Sequence, residues 1–230
     1  MPDDDISFND LIASAIHDMK NSLNMQICAL EKIAMQCRQK GDVPTFDSLG
    51  TVIQQANGMT ANLVQLLSLY KLGKDIYPVE LVEHSVRQVI DDALLQNRSM
   101  LEFRGISLEI LCDEDLYWYL DRDLISGVLI NALNNAYNYT QDKVRVWAAA
   151  QEGCLELWVE DNGPGYPQAL LENPDTQVNM SSSFTNGSTG LGVYFSRQAA
   201  SVHKNGARQG MVVIHNGGAY GGGCFGVRLP

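Results

Sequence analysis

Near the start of the chain a histidine is followed at once by a carboxylate, with an amide one helical turn on: His17, Asp18 and Asn21 in AIHDMKNSLN. Ala15, Met19 and Leu23 recur at the spacing of an apolar helix face. His17 sits two residues from both Ala15 and Met19, so it falls on the opposite, wet side. At 100° per residue Asn21 lies about 40° from His17, on the same side. Asp18 can swing its carboxylate toward the ring, holding one tautomer and raising its basicity. An exposed imidazole so assisted suits nucleophilic work. Taken alone, the histidine reads better as an ordinary surface residue of an amphipathic helix.

A second group of residues changes that balance. No GxxxxGK[ST] occurs, so a Walker ATPase is excluded. LISGVLINALNNAYNYT places Asn131 and Asn135 at i and i+4 on one helix face, where amide oxygens can hold a hydrated Mg²⁺. VEDNGPG ends a strand on Asp161, whose carboxylate can accept the exocyclic amine of adenine, and Gly163 and Gly165 let backbone approach the base. GSTGLGV brings Gly187, Gly190 and Gly192 to the start of a helix, where backbone N–H groups bind phosphates. Each piece has a bland reading as a cap, a turn or a loop.

In this order the pieces resemble a known family. His17-Asp18-Met19-Lys20-Asn21-Ser22-Leu23 resembles the phosphoacceptor box of two-component sensor histidine kinases, with Ser22 where proline is common. The Asn131–Thr140, Asp161–Gly165 and Gly187–Gly192 segments resemble the N, G1 and G2 boxes of that family's catalytic domain, whose fold is shared with gyrase and the heat-shock chaperone ATPases. GGGCFGVRLP is similar to its closing glycine-aromatic strand. The resemblance covers residues 8 to 230. It implies that His17 accepts a phosphoryl group, Asp18 assists as base, and Asn21 orients water when a partner is dephosphorylated. It adds Tyr139 and Leu191 to the residues around the nucleotide, and it implies Mg·ATP as cofactor and a response-regulator receiver domain as partner. Three places depart from the pattern. Asn138 stands where Lys or Arg is usual, Phe184 lies in a stretch without cations, and Cys224 replaces a usual Thr. No Lys or Arg occurs between Arg145 and Arg197. Losing one or two charge-assisted contacts, worth about 1.5–3 kcal/mol each, would weaken ATP by about tenfold or more. Two rivals stay open: a relay phosphotransferase with a degenerate nucleotide domain, and a phosphatase-biased or inhibitory partner supported by Asn21.

The elements that must position these residues divide near residue 74. Phe8, Leu11/Ile12, Ala15, Met19, Leu23, Ile27, Leu30, Ala34 and Cys37 predict one long helix, and Leu49, Val52/Ile53, Ala56, Met59, Leu63, Leu66/Leu67 and Tyr70 a second. KGDVPT (40–45) breaks them, with Thr45 or Asp47 as the second cap. Two helices bury too little surface alone, so residues 1–74 are expected to form a four-helix bundle with a second copy of the chain, the alternative being that the hairpin packs on the rest of its own chain. Residues 75–230 mix helices with mostly antiparallel strands. The fold expected is α+β: a helical hairpin, then an α/β sandwich that binds ATP. Strands are expected at 76–83, 106–112, 143–150, 154–161, 211–216 and 225–229, with a tight turn at Glu152-Gly153. LYWYL (116–120) reads as a short strand or a turn. Helices are expected at 85–103, from Asp121 or Asp123 through Tyr139, and from about Gly190 to His203. A loop is expected over 163–189.

Composition sets the outer limits. The 230 residues carry a net charge of −11, with 16 Lys+Arg against 27 Asp+Glu, and the pI is near 4.7. Such a chain is a poor partner for nucleic acid or an anionic membrane. Five scattered cysteines without metal spacing fit a reduced compartment. MPDDDISFND has no apolar run of a signal peptide, and no segment is long and apolar enough to span a bilayer. A cytoplasmic location is the expectation.

Overall fold

The computed structural model describes residues 8–95, 101, 104–172 and 190–230. The chain divides at Ile76 into two compact units, Met1–Ile76 and Tyr77–Pro230.

The first unit is a helical hairpin, α1 (Phe8–Gln39) and α2 (Val43–Gly73). Gly41 turns the chain at a φ of 73°. The cap of α2 is neither Thr45 nor Asp47 but Asp42, whose side chain accepts from Thr45 N at 3.3 Å. Pro44 therefore stands in the first turn of α2, where its missing N–H costs nothing, and is no break. Ile27, Ala34 and Ile53 are buried, with Leu30, Phe46, Leu49 and Ala56 packed against them. Several large apolar side chains of the hairpin stay exposed within one chain. Met19, expected in the core, is 46% exposed, and Val52, Met59 and Leu66 form an exposed stripe at seven-residue spacing on α2.

The second unit is a sandwich of helices on a sheet. Its five-stranded sheet runs β2 (Ser107–Leu111), β4 (Lys143–Gln151), β5 (Cys154–Asp161), β9 (Gly222–Leu229), β8 (Met211–Gly217). β2 and β4 pair in parallel and the other neighbours antiparallel. The parallel pair needs a crossover, and the connection carries β3 (Tyr117–Leu120) and α4 (Arg122–Tyr139). LYWYL is thus a strand, paired with β1 (Val82–Ser85). That strand begins later than the 76–83 expected. α3 (Val86–Leu95), α4 and α6 (Leu191–Ser201) supply the helix layer. The remainder of the expected 85–103 helix lies mostly outside the described residues.

Alternation explains the core. Val144, Val146 and Ala148 on β4, and Leu155, Leu157 and Val159 on β5, are buried under Leu124, Ile125, Val128 and Leu129 of α4 and Phe195 of α6. Each buried Val, Leu, Ile or Phe among them contributes about 1.5–3 kcal/mol. The opposite face of the sheet carries Trp147 and Trp158, stacked with centroids 5.7 Å apart, and the indole N–H of Trp147 donates to Glu160 at 2.7 Å. Glu152 and Gly153, at φ of 53° and 71°, make the β4–β5 turn. Within the expected loop, Gln168–Glu172 forms a short helix, α5. The hairpin β6 (Lys204–Asn205) and β7 (Arg208–Gln209) completes the unit.

Candidate functional site

Two sets of residues carry chemistry, one in each unit. In the first, His17 and Asp18 are well exposed, at 65% and 77% of their side chains, and His17 Nδ1 lies 3.5 Å from Asp18 Oδ1. Asn21 Nδ2 lies 3.3 Å from His17 Nδ1 and 3.4 Å from Nε2. All three expected residues therefore meet on one wet face of α1. A proton on Nδ1, facing Asp18, leaves the lone pair on Nε2, where the Asn21 amide N–H also reaches it.

The second site is built along α4. Asp121 caps this helix, accepting from Leu124 N at 3.0 Å. The same carboxylate takes Glu80 N at 3.2 Å and the Tyr77 hydroxyl at 3.4 Å. His203, buried at the end of α6, accepts Asp121 N on Nε2 at 3.0 Å and donates from Nδ1 to Ala199 O at 2.8 Å. Burial pushes this imidazole below its ordinary pKa, so it stays neutral. α4 and α6 are thereby fastened end to end, and Gly127 lets the ring of Phe195 pack directly on the α4 backbone.

At the phosphate end, Gly190 caps α6 in the left-handed conformation, at a φ of 63° with no side-chain cap, and the first N–H groups at Leu191 and Gly192 make no hydrogen bond among the described residues, an arrangement that suits an anion. Asn131 is buried against this turn. Its Nδ2 donates to Ser196 Oγ at 3.3 Å, and a Cβ on Gly192 would collide with its amide. Asn135, one turn on, is half-buried and its side chain makes no hydrogen bond among the described residues. Its oxygen suits a hard cation such as Mg²⁺. Gly187 lies outside the described residues.

The other end of α4 meets the end of β5, about 12 Å from Asn131 by helix rise. Asp161 is buried, and its Oδ1 accepts Gly163 N at 2.7 Å and Gly223 N at 3.2 Å. Oδ2 makes no hydrogen bond among the described residues and can take an amine. A side chain on Gly163 would strike the carbonyl of Tyr139, itself half exposed. Asn162 Oδ1 accepts Thr140 Oγ1 at 2.8 Å and the N–H groups of Asp142 and Lys143 at 3.1 and 3.0 Å, pinning β5 to the C-terminus of α4. Gly165, at a φ of 78°, turns the chain into Tyr166. Sequence reasoning missed Asn162, Tyr166, Ser196 and Asn216. Asn162 stood inside the quoted glycine segment and Tyr166 directly after it, whereas Asn216 meets Tyr166 across fifty residues and has no local signal.

Residues 120–230 match the family described as "Histidine kinase-, DNA gyrase B-, and HSP90-like ATPase". The sensor protein KdpD of Escherichia coli is 26% identical over 96% of this chain and 24% of its own length. The sensor histidine kinase WalK of Bacillus subtilis is 25% identical over 84% of this chain and 33% of its own. The chain thus spans a third or less of either relative. The structure of the Acinetobacter baumannii histidine kinase AdeS superposes with a TM-score of 0.57 at 18% identity, covering 89% of this chain and 96% of that one, a likeness of fold. No helix among the described residues is long and apolar enough to cross a membrane.

Proposed function

We propose that the chain is a two-component histidine kinase core, with the ATPase family match at residues 120–230 as its nucleotide-binding part, and that it carries out ATP-dependent phosphorylation of His17 followed by transfer to an aspartate of a response-regulator receiver. The observation that carries this reading is the exposed His17, within 3.5 Å of Asp18, in a chain that also holds the Asn135, Asp161 and Gly190–Gly192 constellation. Residues 1–74 form the dimerising phosphotransfer module and residues 75–230 the catalytic one.

Asp161 accepts the adenine amine, with Tyr139, Gly163 and Gly165 beside the base. The N–H groups at Leu191 and Gly192, at the turn that Gly190 shapes, hold phosphate oxygens. Asn131 fixes that turn, and Asn135 supplies an oxygen to Mg²⁺. Bound there, the ion would neutralise phosphate charge. The Nε2 lone pair of His17 attacks the γ phosphorus, the bond from phosphorus to the β–γ bridging oxygen breaks, and ADP leaves. Asp18 stabilises the Nδ1 proton as the ring gains charge. A receiver carboxylate then takes the phosphoryl group from Nε2. Asn21 orients water for the reverse traffic, dephosphorylation of the receiver.

The test is incubation with γ-labelled ATP and Mg²⁺, with His17→Gln as control. Label on the parent and none on the variant is expected. A parent that takes label only from a phosphorylated receiver, and never from ATP, would make the protein a relay. The stretch without Lys or Arg from 146 to 196 is the feature that favours that outcome.

A further inference from the structure

The Asp161 end of the site contains a side chain that the phosphotransfer reading leaves unused. Tyr166 follows the Gly165 turn, and its backbone is clamped to β8 at both polar atoms. Asn216 Oδ1 accepts Tyr166 N at 2.7 Å, and Asn216 Nδ2 donates to Tyr166 O at 2.9 Å. A Cβ on Gly165 would lie 2.7 Å from the Asn216 amide, so only glycine admits the clamp. The clamp lays the tyrosine ring over Gly223. At the point where a side chain on Gly223 would begin, Asp161 Oδ2 is 2.9 Å away and Tyr166 Cε2 is 3.1 Å away. Cε2 adjoins the carbon that bears the hydroxyl, so that edge of the ring and the free oxygen of Asp161 border the same point over Gly223. Burial, then the charge of Asp161, push the phenol well above its ordinary pKa. The group is a neutral donor at physiological pH. Its hydroxyl makes no hydrogen bond among the described residues, an arrangement that favours an incoming acceptor.

We propose that the Tyr166 hydroxyl is a second reader of the nucleotide base, donating a hydrogen bond to a ring nitrogen, N1 or N7, that flanks the exocyclic amine bound by Asp161. The proposal rests on the assignment of the Asp161 pocket to adenine. An acceptor beside a donor matches the amine-and-nitrogen edge of adenine and opposes a purine with a carbonyl at the same position.

Calorimetry on the intact protein tests it with Mg·ATP, 1-deaza-ATP, 7-deaza-ATP and ITP. Tyr166→Phe keeps the ring on Gly223 and removes only the hydroxyl. It should weaken ATP about fivefold, the worth of one neutral hydrogen bond. For one of the two deaza analogues, parent and variant should bind alike, which names the nitrogen. Equal ATP binding by parent and variant, or an equal loss for ATP and both analogues, would overturn the role of the tyrosine. ITP, which lacks the amine, reads Asp161 instead: it should bind weakly to both proteins. If ITP binds the parent as tightly as ATP does, or if the parent binds no ATP, the adenine pocket itself falls and the proposal with it.

Discussion

At the scale of single residues, the two carboxylates that matter differ in surroundings and so in what their loss should do. Asp161 is buried with one oxygen held by two backbone N–H groups and the other open. Asp161→Asn can place a donor against the adenine amine, so ATP binding should fall by tenfold or more with and without Mg²⁺. Asn135→Ala should remove only the Mg²⁺-dependent part. Titrations of both variants with and without EDTA separate the two effects. Asp18 is exposed and acts on a neighbour's proton, so Asp18→Asn should slow phosphorylation of His17 by about 10²–10⁴, a loss typical of general-base removal. Asn21→Ala should leave that rate largely intact and reduce dephosphorylation of a receiver; rates of both steps on the same variant check the division of labour. The contact of Asn21 Nδ2 with the imidazole adds a rotamer restraint to this role, which the sequence spacing alone did not include.

At the scale of elements, the site depends on how α4 and α6 are fastened. His203 is the rivet, and its neutral ring accepts Asp121 N. The pKa of His203 is lowered on folding, so the unfolded chain binds the extra proton first. Its contribution to stability is full above the unfolded value, about 6.5, and is lost as pH falls below it toward the folded value. Thermal melts should therefore show a fall in stability as pH drops below about 6.5, and His203→Gln should flatten that slope whatever it does to the melting temperature itself. Much of this architecture was legible in the sequence. Alternation of Val144, Val146 and Ala148 with Arg145 and Trp147 can only be a half-buried strand, and a cap at Asp121 or Asp123 announced α4, of which the structure uses Asp121. The cap of α2 was misplaced because Pro44 is compatible with a break and with a first turn alike, and only the Asp42 contact decides. The Asn216–Tyr166 clamp and the Asn162 pin join residues far apart in the chain, so no local pattern encodes them.

At the scale of the whole molecule, the first unit leaves an apolar stripe, Val52, Met59 and Leu66, without cover in a single chain. A second hairpin laid on it would complete four helices, which is the dimer we propose. Met59→Asp places a charge in the middle of the stripe and should shift the intact protein from dimer toward monomer in sedimentation at tens of micromolar. A parent that is monomeric under those conditions would end the four-helix proposal. The stacked indoles on the back of the sheet have a practical consequence for such experiments. Trp118, Trp147 and Trp158 are the only tryptophans of the chain, and all three belong to the second unit. Tryptophan emission is therefore blind to the hairpin, while far-ultraviolet ellipticity is dominated by its two long helices. One sample carries separate optical reporters for its two halves, so their unfolding can be followed independently without any label. The Trp147 indole is bound to Glu160, the neighbour of Asp161, and its emission should respond when the base site fills.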